Sequence, residues 1–158
     1  MRKDMQWLIE VSYKPEFFDA LGNTVKKDIE DLGIFGIKKV RTSQLYHIEG
    51  KLKEKELELL CKELLTDRIT QQYRIREHRN PQSSIWIVQV WYKKGVTDAV
   101  ADTVKKGAID LGIQGINMVK TGYEYTIIGN ISVEQVERIC KGLLVNKVVQ
   151  EYSITTQT

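Results

Sequence analysis

Cysteine, histidine and proline are scarce in this chain of 158 residues, with two of each. The cysteines form no C-x-x-C pair, so no zinc or redox motif is present. The G-x-S-x-G, H-E-x-x-H and calcium-loop patterns are also missing. The pattern places His47 on the outward face of a strand and His78 in a polar linker, where solvated histidines are expected. We therefore expect no metal, no cofactor and no catalysis by the chain alone.

Long apolar runs and a strong net charge are missing as well. No run approaches the roughly 20 apolar residues that span a membrane. The opening segment carries Asp4 and Glu10 in place of the apolar core of a signal peptide. We expect a cytoplasmic protein that does not bind membranes. The formal net charge of +3 is too small to demand a nucleic-acid partner.

What the sequence does have is an internal repeat. TVKKDIEDLGIFGIKKV begins at Thr24, and TVKKGAIDLGIQGINMV begins at Thr103, an offset of 79 residues. About 29 of 75 aligned positions are identical without a gap, against roughly one in fifteen by chance. The chain is a duplicated module.

Each copy has the pattern of a strand, a helix, two strands, a second helix and a closing strand. The first helix has apolar residues at three- and four-residue spacing. Both first helices end at DLGI, where Gly33 and Gly112 suit a left-handed C-terminal cap. The middle strands are predicted to form a hairpin, with Thr121-Gly122 as the turn centre of the second copy.

Two residue types recur at equivalent positions and are predicted to have structural roles. Cys61 and Cys140 are expected to be small buried apolar side chains. Gln71 and Gln150 lie among apolar residues of the closing strand, so each should be hydrogen-bonded if it is buried. A bond between these two glutamines across an internal two-fold axis is one such arrangement. Gly107 in the second copy's first helix indicates close packing at that point.

These patterns predict the α+β class. We expect two β-α-β-β-α-β repeats, each an antiparallel sheet with helices on one face, packed as an intramolecular pseudo-dimer. A unit of about 75 residues buries a small share of its surface, so the copies should share a core or a sheet. The predicted division is residues 1–76, a linker at 77–84, and residues 85–158.

Repeated lysines are the main candidate for a binding surface. A symmetric basic patch with two apolar anchors would suit an acidic protein partner, and a plain solvated helix face explains the same lysines. The candidate interface residues are Lys14, Lys26, Lys27, Trp91, Lys93, Lys94, Lys105, Lys106 and Tyr123.

The segment VWYKKGVTDAVADTVKKGAIDLGIQGINMVKTG, followed by C..LL.N and V...Y.I, resembles the PurS family. PurS is the small non-catalytic subunit of phosphoribosylformylglycinamidine (FGAM) synthase in purine biosynthesis. The second copy is similar over nearly its whole length, and the first copy more loosely. The helix-end NP of the family reads Asp67-Arg68 and Asn146-Lys147 here, and the lysine of the family's V.R.GK pattern is absent from both copies.

The resemblance implies partners. PurS-like proteins associate with a large ATP-using synthetase and a glutamine amidotransferase. Together these convert formylglycinamide ribonucleotide, glutamine and ATP to formylglycinamidine ribonucleotide. The small subunit is expected to join the other two and to help ammonia pass between their active sites. Further self-association of the chain is also compatible with the resemblance.

Two other classes stay open from the sequence. A tandem ACT-like regulatory module would bind an amino acid or a nucleotide between the copies. An RNA-binding adaptor or a minor enzyme is the third reading. GIFG and GIQG have the G-x-x-G spacing of KH loops, but these loops lead into strands and hold Phe35 or Gln114 where a basic residue is usual.

Overall fold

The computed structural model of the protein describes residues 4–76 and 84–155. In the first repeat the elements are β1 (Met5–Tyr13), α1 (Ala20–Asp31), β2 (Ile37–Gly50), α2 (Glu54–Leu60) and β3 (Gln71–Arg76). In the second repeat they are β4 (Ile85–Tyr92), α3 (Ala99–Asp110), β5 (Ile116–Gly129), α4 (Val133–Ile139) and β6 (Gln150–Thr155). Helices α2 and α4 each continue into a five-residue π-helical segment, Cys61–Leu65 and Cys140–Leu144.

The strands form one six-stranded sheet in the order β3-β1-β2-β5-β4-β6. Strand β1 pairs antiparallel with β2 and β3, and β4 pairs antiparallel with β5 and β6. The predicted α+β class with two antiparallel repeats is confirmed. Of the predicted linker, residues 77–83 lie outside the described residues, and so does His78. The division at 1–76 and 85–158 stays a proposal about the repeated sequence.

The two middle strands of each repeat are halves of one continuous strand of 14 residues, β2 or β5. The turn predicted at Thr121-Gly122 is therefore not formed. Gly122 lies opposite Trp91 on β4, and an added Cβ would stand 2.5 Å from the Val90 carbonyl oxygen and 2.8 Å from the Trp91 ring. The glycine serves the close approach of a neighbouring strand, not a bend.

Helices and strand halves of the two repeats are exchanged between two compact units. The first unit combines β1, α2, β3 and the second half of β2 with α3 and the first part of β5 from the second repeat; its described residues are 4–17, 44–76 and 97–121. The second unit combines β4, α4, β6 and the second part of β5 with α1 and the first half of β2 from the first repeat; its described residues are 18–43, 84–96 and 122–155.

Each unit has a core built from both repeats. The first core includes Ile9, Ile48, Leu60, Val104, Ala108 and Ile113. The second core includes Val25, Ile29, Ile34, Val88, Ile127 and Ile139. Gly107 on α3 shows the close packing predicted for it, since an added Cβ would stand 2.7 Å from Leu64 Cδ1. Burial of apolar surface from one repeat against the other is what holds each exchanged helix in place.

The predicted caps of α1 and α3 are confirmed. Gly33 and Gly112 both have a φ of 82°, a conformation that glycine adopts without the cost that a Cβ would add. The next residues, Ile34 and Ile113, donate their N–H back to the last turn of the helix and are 0% and 2% exposed. The DLGI segment thus ends the helix and returns the chain to the core.

Candidate partner-binding surface

An aspartate before the first helix of each repeat joins that helix to a long strand. Asp19 caps α1 by accepting one N–H of its first turn at 2.8 Å, and it accepts the N–H of Thr42 at 2.7 Å. Asp98 caps α3 at 3.0 Å and accepts the N–H of Thr121 at 2.8 Å. Sequence reasoning missed these pairs. Their signal was available, because both residues are polar and identical in the two repeats.

The chain between the first π-helical segment and β3 forms a turn held by its own side chains. We call residues 67–70 turn A. The Asp67 carboxylate accepts the N–H of Ile69 at 2.8 Å and of Thr70 at 3.2 Å, and these two bonds lower the pKa of the Asp67 carboxyl. The Gln71 side chain accepts the Asp67 N–H at 2.9 Å. Side chains therefore accept hydrogen bonds from both the first and the last residue of the turn.

The equivalent turn of the second repeat, residues 146–149, is turn B. The Asn146 side chain accepts the N–H of Val148 at 3.1 Å, and the Gln150 side chain accepts the Asn146 N–H at 2.9 Å. Each of the two repeated glutamines, Gln71 and Gln150, therefore bonds the turn that precedes it. The predicted bond between the two glutamines is not formed.

Two of the predicted interface lysines hold these turns against the end of the first strand of their repeat. Lys14 donates from Nζ to the Arg68 carbonyl at 2.7 Å, and Lys93 donates from Nζ to the Lys147 carbonyl at 2.5 Å. The backbone N–H groups of both lysines also donate into their turns at 2.9 Å. The repetition of these lysines thus has a structural cause.

Both turns present an apolar side chain to solvent. Ile69 on turn A is 76% exposed and Val148 on turn B is 82% exposed, the two highest values among the large apolar side chains that the structure describes. Exposed apolar side chains are ordinary when they are scattered. Here they occupy equivalent positions on turns that are fixed by hydrogen bonds, which is typical of preorganised binding surfaces.

The lysines of the helices are divided between the units. Lys26 is half-buried and Lys27 exposed on α1, in the second unit. Lys105 is half-buried and Lys106 exposed on α3, in the first unit. Lys94 is exposed in the turn that follows β4. The nine candidate residues are therefore spread over both units.

The two predicted aromatic anchors point to opposite faces of the sheet. Trp91 is half-buried opposite Gly122, and its Nε1 donates to the Gln89 side chain at 3.3 Å. Tyr123, the next residue of β5, is 39% exposed and lies 6.4 Å from the ring of Tyr125. Trp91 shares a face of the sheet with its pairing partner Gly122, and Tyr123, the next residue along β5, points to the other face. One flat partner surface therefore cannot contact both rings.

An ion pair on the sheet of the first unit was not expected from the sequence. Glu10 on β1 is 7% exposed, and its carboxylate lies 2.8 Å from Arg76 Nε and 3.4 Å from Arg74 on β3. In the second unit, Gln89 donates to Glu124 at 3.1 Å. Because the Glu10 and Glu124 carboxylates are buried, removal of one of these partners would leave a buried charge less well compensated and would destabilise the sheet.

The cysteines lie in the cores, as predicted. Cys61 and Cys140 are free and 0% exposed. Burial, with a smaller effect from Glu58 and Glu137, raises the pKa of both thiols to about 12. A thiol with so high a pKa holds almost no thiolate at neutral pH, and only the thiolate is a good nucleophile.

His47, which was predicted to be solvated, is half-buried beside Glu49, with 3.1 Å between Nε2 and Oε1. Within residues 4–76 and 84–155, no group of three or more His, Cys, Asp or Glu could hold a metal ion. In the same ranges, no helix is both long and apolar enough to cross a membrane.

Comparison with known proteins gives one family. A family model described as "PurS: Phosphoribosylformylglycinamidine (FGAM) synthase" matches residues 6–79 and again residues 86–158. The two matches follow the repeat and together cover about nine tenths of the chain. No curated protein matches the chain.

Proposed function

The chain belongs to the PurS family, and on that premise we propose that it is the non-catalytic scaffold subunit of FGAM synthase. PurS is a subunit of this ligase complex in purine biosynthesis. The observation that carries the proposal is the double family match, because it places two family units in one polypeptide. The exchange of α1 and α3 between the compact units supports the same reading.

In this proposal the fused chain is a covalent form of a two-subunit scaffold. Joining two units replaces an encounter that depends on concentration with an effective concentration on the order of mM. Each core contains apolar side chains from both repeats, so the pair needs no second chain to complete either core. The scaffold is thus complete at any concentration of the chain.

The proposed task is to hold a synthetase and a glutamine amidotransferase in a fixed relative position and to assist ammonia transfer between them. Ammonia released into water at neutral pH becomes mostly ammonium, which has no lone pair and is not a nucleophile. A scaffold that keeps the two active sites connected prevents this loss. The chain itself would supply contacts, not reacting groups.

Reconstitution with either nitrogen source tests this task. The synthetase is assayed for FGAM formation with glutamine plus amidotransferase, or with ammonium salt, each with and without the chain. We expect the chain to be required for the glutamine-driven rate and to change the ammonium-driven rate little. Equal glutamine-driven rates with and without the chain would contradict the proposal.

The same assay measures the chain alone. With formylglycinamide ribonucleotide, ATP and glutamine, we expect neither FGAM nor glutamate to form. Glutamate release by the purified chain would show that it is an amidotransferase and not a scaffold.

A further inference from the structure

The two equivalent turns have diverged in charge. Six aligned positions lie on each turn or on the two segments next to it, and they are the three residues that follow the first strand, one residue of the π-helical segment, and the first two turn residues. Around turn A they are Lys14, Pro15, Glu16, Glu63, Asp67 and Arg68, with two basic and three acidic residues and a net charge of −1. Around turn B they are Lys93, Lys94, Gly95, Gly142, Asn146 and Lys147, with three basic residues and a net charge of +3.

Ion pairing also differs between the two turns. At turn A the Arg68 guanidinium is paired with the Glu63 carboxylate, which neutralises it locally. At turn B the residue aligned with Glu63 is Gly142, so Lys147 lacks the equivalent acidic neighbour. Lys93, Lys94 and Lys147 are all exposed. Turn B therefore presents unbalanced positive charge around its apolar tip.

The backbone of turn B is fixed before any partner arrives. Asn146, Gln150 and Lys93 together make three side-chain hydrogen bonds to the turn, between 2.5 and 3.1 Å. A surface that is already ordered loses little conformational entropy when it binds. Val148, 82% exposed at the tip, can therefore enter an apolar socket without rearrangement of the turn.

We propose that turn B, with Val148 as its tip and Lys93, Lys94 and Lys147 around it, docks into an acidic-rimmed apolar socket on one partner subunit of the complex, and that turn A does not. This inference rests on the proposed scaffold function. A symmetric pair of identical units would offer the same charge at both turns. The fused chain has a different net charge at each turn, so each turn can favour a partner surface of different charge.

The test uses the full-length chain and a matched pair of variants. Lys94→Glu with Lys147→Glu reverses two charges at turn B. Pro15→Glu with Arg68→Glu places the same residues at turn A. The Arg68 and Lys147 backbone carbonyls that bond the lysines are kept, and urea midpoints equal to that of the unchanged chain show that both variants fold. Binding to the separately immobilised synthetase and amidotransferase is measured at two salt concentrations.

We expect the turn B variant to bind one of the two subunits at least about tenfold more weakly, with a smaller dependence on salt. The turn A variant should bind that subunit within about threefold of the unchanged chain. Equal losses for both variants, or no loss for the turn B variant, would overturn the inference while leaving the scaffold function intact. If the unchanged chain binds neither subunit, the proposed function fails and this inference fails with it.

Val148→Ser gives a second measurement on the same surface. It removes the apolar tip and leaves every charge in place. A loss of binding to the same subunit, with an unchanged dependence on salt, is expected. No loss would show that the socket is not apolar and would overturn that half of the inference.

Discussion

At the scale of single residues, glycines mark where backbones touch. Gly50 and Gly115 meet in the first unit, and their counterparts Gly129 and Gly36 meet in the second. In the first pair the Lys51 N–H donates to the Gly115 carbonyl at 2.9 Å. A side chain at either place would collide with backbone atoms, which cannot rotate away.

Gly115→Ala is therefore expected to lower the free energy of unfolding by at least about 2 kcal/mol, because the added Cβ would overlap the Lys51 carbonyl oxygen. Gly142→Ala is the control, since its nearest neighbour would be Leu32 Cδ1 at 3.7 Å and alanine favours a helix. Urea unfolding measures both. A Gly115→Ala variant as stable as the control would show that this contact is not close.

Asp67 should give the stability a local dependence on pH. The pKa of its carboxyl is lowered in the folded chain, first by the Ile69 N–H and then by the Thr70 N–H. The folded state thus binds a proton less readily than the unfolded state. This contribution is complete above the unfolded pKa of about 4 and is lost as pH falls through the folded pKa.

Asp67→Asn tests this, because asparagine keeps an acceptor, as Asn146 does in turn B, but does not titrate. The variant should be less stable than the unchanged chain at pH 6, with the difference shrinking below pH about 4. Urea unfolding across that pH range is the measurement. A difference that stays constant would mean that the carboxylate makes no charge-dependent contribution to turn A.

The roles of some glycines could be predicted from the sequence, and the role of another could not. Gly33 and Gly112 were predictable, because the end of a helix followed by a buried isoleucine demands a left-handed residue. Gly122 was misread as a turn because the sequence shows that a glycine is present but not why. Its reason is the Trp91 ring on another strand, which no local pattern records.

At the scale of elements, the aspartate–threonine pairs fix each first helix to its strand. Asp98 caps α3 and also accepts hydrogen bonds from the N–H and the hydroxyl of Thr121. Thr121 is only 8% exposed. An unpaired buried N–H costs about 1–3 kcal/mol. The cap alone accounts for about 1 kcal/mol.

We therefore expect Asp98→Ala to lower the free energy of unfolding by about 2–4 kcal/mol. Ser132→Ala removes the cap of α4, where the serine hydroxyl accepts the Gln135 N–H at 3.2 Å and holds no strand. It should cost only about 1 kcal/mol. Thermal or urea unfolding compares the two. Equal losses would mean that the bonds to Thr121 add nothing to the cap.

Helices were the most predictable elements and the long strands the least. The spacing of apolar residues in α1 and α3 is visible in one copy alone. One 14-residue strand and a hairpin of two short ones share the same alternation, so only the turn residues could separate them. Thr121-Gly122 has the composition of a turn, but β5 runs through it without a break.

At the scale of the whole molecule, the exchange of helices between the two units could not be predicted from the sequence. Both first helices have the same apolar spacing, and either could cover the strands of either repeat. The need for the copies to share a core was predictable from their size. Which helix completes which core depends on the path of the chain through β2 and β5, each of which passes from one unit to the other.

Separated repeats should therefore fail to fold as monomers. Without the first repeat, the second unit loses Val25, Ile29 and Ile34, whose burial is worth on the order of 5 kcal/mol. That is comparable to the whole stability of a small domain. Circular dichroism and gel filtration of residues 1–80 and 81–158 should show unfolded or self-paired chains. A folded monomer with cooperative unfolding would contradict the exchange of α1 and α3.

The central claim, that this chain holds two other proteins together, is tested most directly by mass. The chain, the synthetase and the amidotransferase are mixed with ATP, glutamine and formylglycinamide ribonucleotide, and the eluted species is weighed by light scattering. We expect a complex that contains all three proteins and that does not form when the chain is left out. Synthetase and amidotransferase that assemble equally well without it, or a chain that elutes alone, would contradict the account.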